Sequence, residues 1–171
     1  MDVLSRERIG QEFLKLLSAP DPAPALATMA QCNVLRHEIF GADPKFIGPV
    51  QHLEQLTETP PEPLRRLAVL GGQDVSDALR LSKAQAKHLA SIQAALGATL
   101  TDKALGYVYG ADAAWSAMLI NAAMAAVPLS STRRNELIGG AQAEYTVKAR
   151  DLPAELSGPA IGKELSELTE L

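Results

Sequence analysis

The chain has 171 residues, of which 47% are hydrophobic and 4% aromatic, and its 16 Lys and Arg against 20 Asp and Glu give a net charge of −4. A chain of this length buries roughly 70% of its unfolded surface and sustains a core without covalent staples. The single cysteine, Cys32, excludes an internal disulfide, a thiolate metal site and a paired-cysteine redox motif, and it fits a reducing compartment.

The first residues include Asp2, Arg6, Glu7 and Arg8 in place of a basic end followed by an apolar run, so no signal peptide is expected. Ala and Leu dominate, β-branched and aromatic residues are few, and nothing alternates in strand fashion, which predicts an all-α chain of nine or ten short helices. The first helix is expected over residues 5–18, with Ser5 as N-cap, Glu7 in the first turn, and Ile9, Phe13, Leu16 and Leu17 on one buried face. Three prolines in "APDPAP" at 19–24 stop it. A second helix restarts on Pro24 and buries Leu26, Met29 and Ala30, with Leu35 and Ile39 extending that surface.

Further helices are expected over residues 50–58, ended before Pro60 and Pro61, and 63–70, ended by Gly71 and Gly72. A turn at 74–81 precedes a helix opened by a Ser82–Gln85 capping box, with Leu89, Ile92 and Leu96 inward and Gly97 at its end. Thr101 or Asp102 starts the next helix, through Tyr107 and Tyr109. Asp112 leads into the alanine-rich helix of Trp115, Met118, Leu119, Ala122 and Met124, ended by Pro128. Ser130 or Ser131 caps a helix to about residue 145, and Pro159 opens a last one with Ile161, Leu165 and Leu168 as its stripe. The longest uncharged run, residues 113–132, contains Ser116, Asn121 and Pro128 and reads as a buried helix, not a membrane span. A cytoplasmic protein is expected.

The acidic total hides an uneven distribution. Residues 1–79 carry 7 basic and 11 acidic side chains, residues 80–150 carry 8 and 4, and residues 151–171 carry 1 and 5. An anion can therefore bind the middle of the chain despite its overall charge.

Catalytic signatures are missing. "GGQDVSD" at 71–77 places Asp74 and Asp77 three residues apart with no strand to align them, and its glycines are explained by a helix end. His37, His52 and His88 are scattered without metal-ligand spacing, so no metal site is expected. There is no nucleophile elbow, P-loop or dinucleotide fingerprint.

"LSRERIGQEFLKLL" at 4–17, followed by "APDPAPALATMAQCNVL" at 19–35, resembles the segment after the catalytic head in the bacterial CCA-adding tRNA nucleotidyltransferase and poly(A) polymerase family. Ser5, Glu7, Arg8, Ile9 and Glu12 match a Ser-x-Glu-Arg-Ile-x-x-Glu helix of that family. The likeness continues in order through "PEPLRRLAVL" at 61–70, "LRLSKAQAKHLA" at 79–90 and "YTVKARDLPAELSGPAIGKELSELTEL" at 145–171. Ala149 and Asn33 stand where the family commonly has glycine.

The resemblance implies the helical array of the RNA-binding C-terminal region of class II tRNA nucleotidyltransferases, with a neck-like hairpin over 1–45 and a body and tail over 46–171. The head, with its Asp-x-Asp pair, Mg and CTP or ATP, has no counterpart here, so no catalytic residue or cofactor is assigned to this chain and no activity is expected of it alone. By the same resemblance the partners are the acceptor and TΨC part of tRNA and the catalytic head, with neither DNA nor membrane. Glu7, Arg8 and Glu12 would face the head, or Arg8 and Glu12 would simply pair at i, i+4. The tRNA backbone would be held by the basic residues of the middle segment, Arg80, Lys83, Lys87, Arg133, Arg134, Lys148 and Arg150, with little aromatic stacking. A helical protein-interaction module that binds no RNA is the alternative.

Overall fold

Proline and glycine divide the chain where its apolar pattern breaks, and the computed structural model, which describes residues 5–143, shows ten α-helices and one 3-10 turn, with no strand among the described residues. Residues 5–141 belong to one compact unit. The helix expected from Pro159 lies outside the described residues.

Helix α1 spans Arg6–Leu17, and the Oγ of Ser5 accepts a hydrogen bond from the Arg8 N–H at 3.3 Å, as an N-cap should. It buries Gly10, Phe13 and Leu17, whereas Ile9 and Leu16 stay half-buried, so the expected apolar face is only partly covered. Helix α2, Ala23–Gln31, begins one residue before Pro24, which sits in the first turn where its missing N–H costs no bond. The chain breaks again at Asn33, whose left-handed φ of 58° is a conformation that asparagine tolerates better than most residues other than glycine. Leu35 therefore enters the core from a separate short helix α3, Val34–Glu38, with Ile39 buried just after it.

A 3-10 turn at Pro44–Phe46 leads into α4, Ile47–Leu56, which starts earlier than expected because Pro49 is accommodated in the first turn. Glu62 caps α5, Pro63–Leu70, by accepting the N–H groups of Leu64 and Arg65, and Gly71 closes it with a φ of 66°. A single turn, α6, Val75–Ala78, precedes α7, Lys83–Leu96, whose capping box between Ser82 and Gln85 is fully formed. Helices α8, Asp102–Tyr109, α9, Ala111–Ala125, and α10, Thr132–Ala141, complete the unit.

Helix α9 is the hub, because its alanines allow α4, α5, α7, α8 and α10 all to pack on it. Every residue from Ala113 to Ile120 is buried. Met124 is 54% exposed, because it follows the exposed Asn121 by three residues on the outer side of α9, which ends at Ala126 in a left-handed conformation ahead of Pro128. No helix among the described residues is long and apolar enough to cross a membrane. Helices α8 and α10 touch backbone to backbone: a Cβ on Gly106 would stand 2.0 Å from the Leu137 carbonyl oxygen, and one on Gly140 1.9 Å from that of Lys103.

A buried polar knot joins these layers. Glu54 of α4 accepts from Arg65 Nη1 at 2.7 Å through one oxygen, and from Arg66 Nε and Nη2 at 3.1 and 2.6 Å through the other. Arg66 also donates to the carbonyls of Leu17 and Ala19 at the end of α1, while Arg65 donates to Ser116 of α9 and to the Pro60 carbonyl. Beside it the Trp115 indole N–H donates to Thr59, whose hydroxyl is 2.8 Å from that of Thr57.

Replacing Glu54 by Gln leaves two buried guanidinium groups without their carboxylate and should cost about 3–5 kcal/mol, read as a lower urea midpoint; an unchanged midpoint would contradict the shared pair. Gly140→Ala forces a methyl group onto the Lys103 carbonyl and should cost about 1–3 kcal/mol in the same assay.

Candidate nucleic-acid interface

Leu79 and Leu81 anchor the connection between α6 and α7, one buried and one half-buried, and the residue between them is turned outward. That residue is Arg80, exposed and held at a left-handed φ of 50°. Lys83 opens α7 and Lys87 follows one turn later on the same face, both exposed. None of the three has an acidic partner among the described residues, so an eight-residue stretch presents three uncompensated cations. Such a cluster suits phosphate oxygens.

The other basic candidates are not part of this group. Arg133 donates from Nε and Nη2 to Asp102 at 2.7 and 2.6 Å, a two-pronged pair that raises its pKa and fastens α10 to α8. Arg134 is half-buried with its guanidinium 5.9 Å from the centre of the Trp115 ring, fastening α10 to α9. Lys148 and Arg150 lie outside the described residues. Lys103, which the sequence reading passed over although it lies in the positively charged stretch, is exposed and without an acidic partner.

Helix α1 presents two working flanks. On one, Arg8, Glu12 and Glu38 rim a groove of about 540 Å³ whose walls are Ile9, Phe13, Leu16, Met29 and Val34. Glu12 pairs with Lys15 at 3.8 Å and not with Arg8, so the i, i+4 pair does not form. On the other flank Glu7 and Gln11 face Arg80, Ser82 and Gln85 across a cleft of about 280 Å³. Glu7 is thus separated from Arg8 and Glu12. The crossing depends on Gly10, where a Cβ would stand 2.0 Å from the Leu79 carbonyl oxygen. Sequence reading attached no role to Gly10, Gln11 or Gln85 beyond the capping box, since their contribution arises only where two helices meet.

Trp115 is buried and cannot serve as a platform for bases. Among the described residues no group of three His, Cys, Asp or Glu side chains is placed to hold a metal ion. Asp74, at a left-handed φ of 49°, and Asp77 flank the start of α6 without converging on such a site.

Residues 1–40 match the family described as "Probable RNA and SrmB- binding site of polymerase A". Comparison with curated proteins and with solved structures finds no match. The matched segment covers α1, α2 and α3 with Glu7, Arg8 and Glu12, while the seven basic candidates all lie beyond it. The cleft at Gly10 joins this segment to the cationic start of α7. The match supports an RNA-binding region of the poly(A) polymerase type in the first three helices.

Proposed function

We propose that this chain binds RNA through a surface running from α1 across the α6–α7 turn onto α7, as the RNA-holding region of a CCA-adding tRNA nucleotidyltransferase or poly(A) polymerase. One observation carries the reading: Gly10 lets α1, inside the matched RNA-binding segment, lie directly against the turn that presents Arg80, Lys83 and Lys87. Phosphates of a duplex bind the cations, which fixes the register of the RNA without reading its sequence. Trp115 is occupied in the core, which favours backbone recognition of an A-form helix such as the tRNA acceptor and TΨC arm over single-strand stacking. Held in this way, the RNA 3′ end would be offered in the cytoplasm to a catalytic head carrying Mg2+ and CTP or ATP.

Fluorescence anisotropy of a labelled acceptor minihelix, titrated at several salt concentrations, tests this. Lys83→Ala combined with Lys87→Ala should weaken binding and reduce the salt slope by about two. A slope equal to that of the parent chain would remove α7 from the interface.

A protein-docking role is favoured by the second flank of α1, where half-buried Ile9, Leu16 and Met29 and exposed Val34 line an open groove rimmed by Arg8, Glu12 and Glu38. In the same reading this groove receives the catalytic head. Val34→Glu should abolish calorimetrically detected binding of a separately prepared head domain while leaving minihelix binding unchanged; loss of both would show that the two flanks are not separate.

A further inference from the structure

We infer that the cleft between α1 and the α6–α7 turn holds a ribose of the bound strand and reads its 2′-hydroxyl, so that this chain distinguishes RNA from a 2′-substituted or deoxy strand. The inference rests on the RNA-binding reading and adds to it a specific contact that cations alone cannot make.

Phosphate-binding cations are indifferent to the sugar, because both nucleic acids carry the same phosphate. The cleft beside Arg80 has different chemistry. Glu7 and Gln11, one turn apart on α1, bring acceptor oxygens to one wall and have no partner of their own among the described residues. On the opposite wall the Oε1 of Gln85 accepts from the Ser82 backbone N–H at 2.9 Å, which fixes the orientation of the amide. Its Nε2 keeps both hydrogens to donate. A 2′-hydroxyl donates one hydrogen bond and accepts others, so it can accept from Gln85 and donate to Glu7 or Gln11 in a single position.

Glu7 strengthens the assignment. A carboxylate lining the same cleft as Arg80 opposes phosphate binding within it, and a hydroxyl is the group of an RNA strand that a carboxylate attracts. Leu14, Leu79 and Leu81 supply an apolar surface for the carbon side of the sugar. The backbone contact between Gly10 and Leu79 sets the spacing of the two walls, so the site is formed before the RNA arrives. A sugar without the hydroxyl leaves the donor and the acceptors facing each other unpaired.

The test uses the whole chain and two acceptor minihelices of one sequence, one all-ribose and one with 2′-fluoro sugars, which keep the A-form but cannot donate. The ribose form should bind about 3- to 10-fold more tightly, the range one such hydrogen bond supplies. In Glu7→Ala combined with Gln11→Ala, both minihelices should bind with equal affinity and with the salt slope of the parent chain. Equal binding of both minihelices by the parent chain, or a preference that survives in the double variant, would overturn the sugar-reading role and leave the RNA-binding reading standing. Absence of binding to either minihelix at low salt would overturn both.

Discussion

Glu54 shares one carboxylate between two buried arginines, and the relative placement of α1, α4, α5 and α9 depends on it. Arg65 and Arg66 are adjacent in sequence, so on a helix they leave the backbone about 100° apart. One reaches α9 through Ser116 and the other reaches the end of α1 through the carbonyls of Leu17 and Ala19. The carboxylate between them lets both guanidinium groups stay charged in the interior. Burying three charges is costly, and an equally packed apolar cluster could match the stability. What the polar cluster supplies is geometry: each bond has a direction and length, whereas apolar contacts tolerate sliding. Among the described residues no buried side-chain polar atom is left without a partner.

That geometry matters because α1 is the element on which both candidate surfaces converge. Its C-terminal carbonyls are held by Arg66, and its middle is pressed on Leu79 at Gly10. With those two points fixed, residues 8, 12 and 16 line an apolar groove, and residues 7, 11 and 14 line a polar cleft. Charged residues that crowd together in the sequence are thereby assigned to different environments. Arg133 and Arg134 attach α10 to the core, whereas the start of α7 and the Arg80 turn before it gather three exposed cations with no acidic partner among the described residues. The binding potential of a chain with a net charge of −4 thus depends on where its cations are neutralised.

Much of the local structure is legible in short segments because it is decided within a few residues. Ser5, the Ser82–Gln85 box and Gly71 act on backbone groups no more than four positions away, and each performs its expected task. Boundaries near proline are less legible, since Pro24 and Pro49 are equally acceptable just inside a helix or just before one. Asn33 stands where the family commonly has glycine, which fits its left-handed turn, whereas Ala126 carries no such mark in the sequence. Of the candidate site, the grouping of Arg80, Lys83 and Lys87 follows from their proximity in sequence. The pairing of Arg133 with Asp102 and the contact of Arg134 with Trp115 do not, because Asp102 is 31 residues from Arg133 and Trp115 belongs to another helix.

By itself, then, the sequence determined the helical class, most of the caps, the positively charged stretch and the segment that carries an RNA-binding pattern, all properties of composition or of neighbours within a turn or two. Tertiary structure alone decided which charges are buried, which are paired and which face solvent. Glu54 pairs with residues 11 and 12 positions away, Arg66 reaches the Leu17 carbonyl across 49 residues, and Gly10 meets Leu79 across 69 residues. A local pattern specifies the rotation of a side chain about its own helix. It does not specify what the next helix places opposite, and a binding surface is made of such opposed pairs.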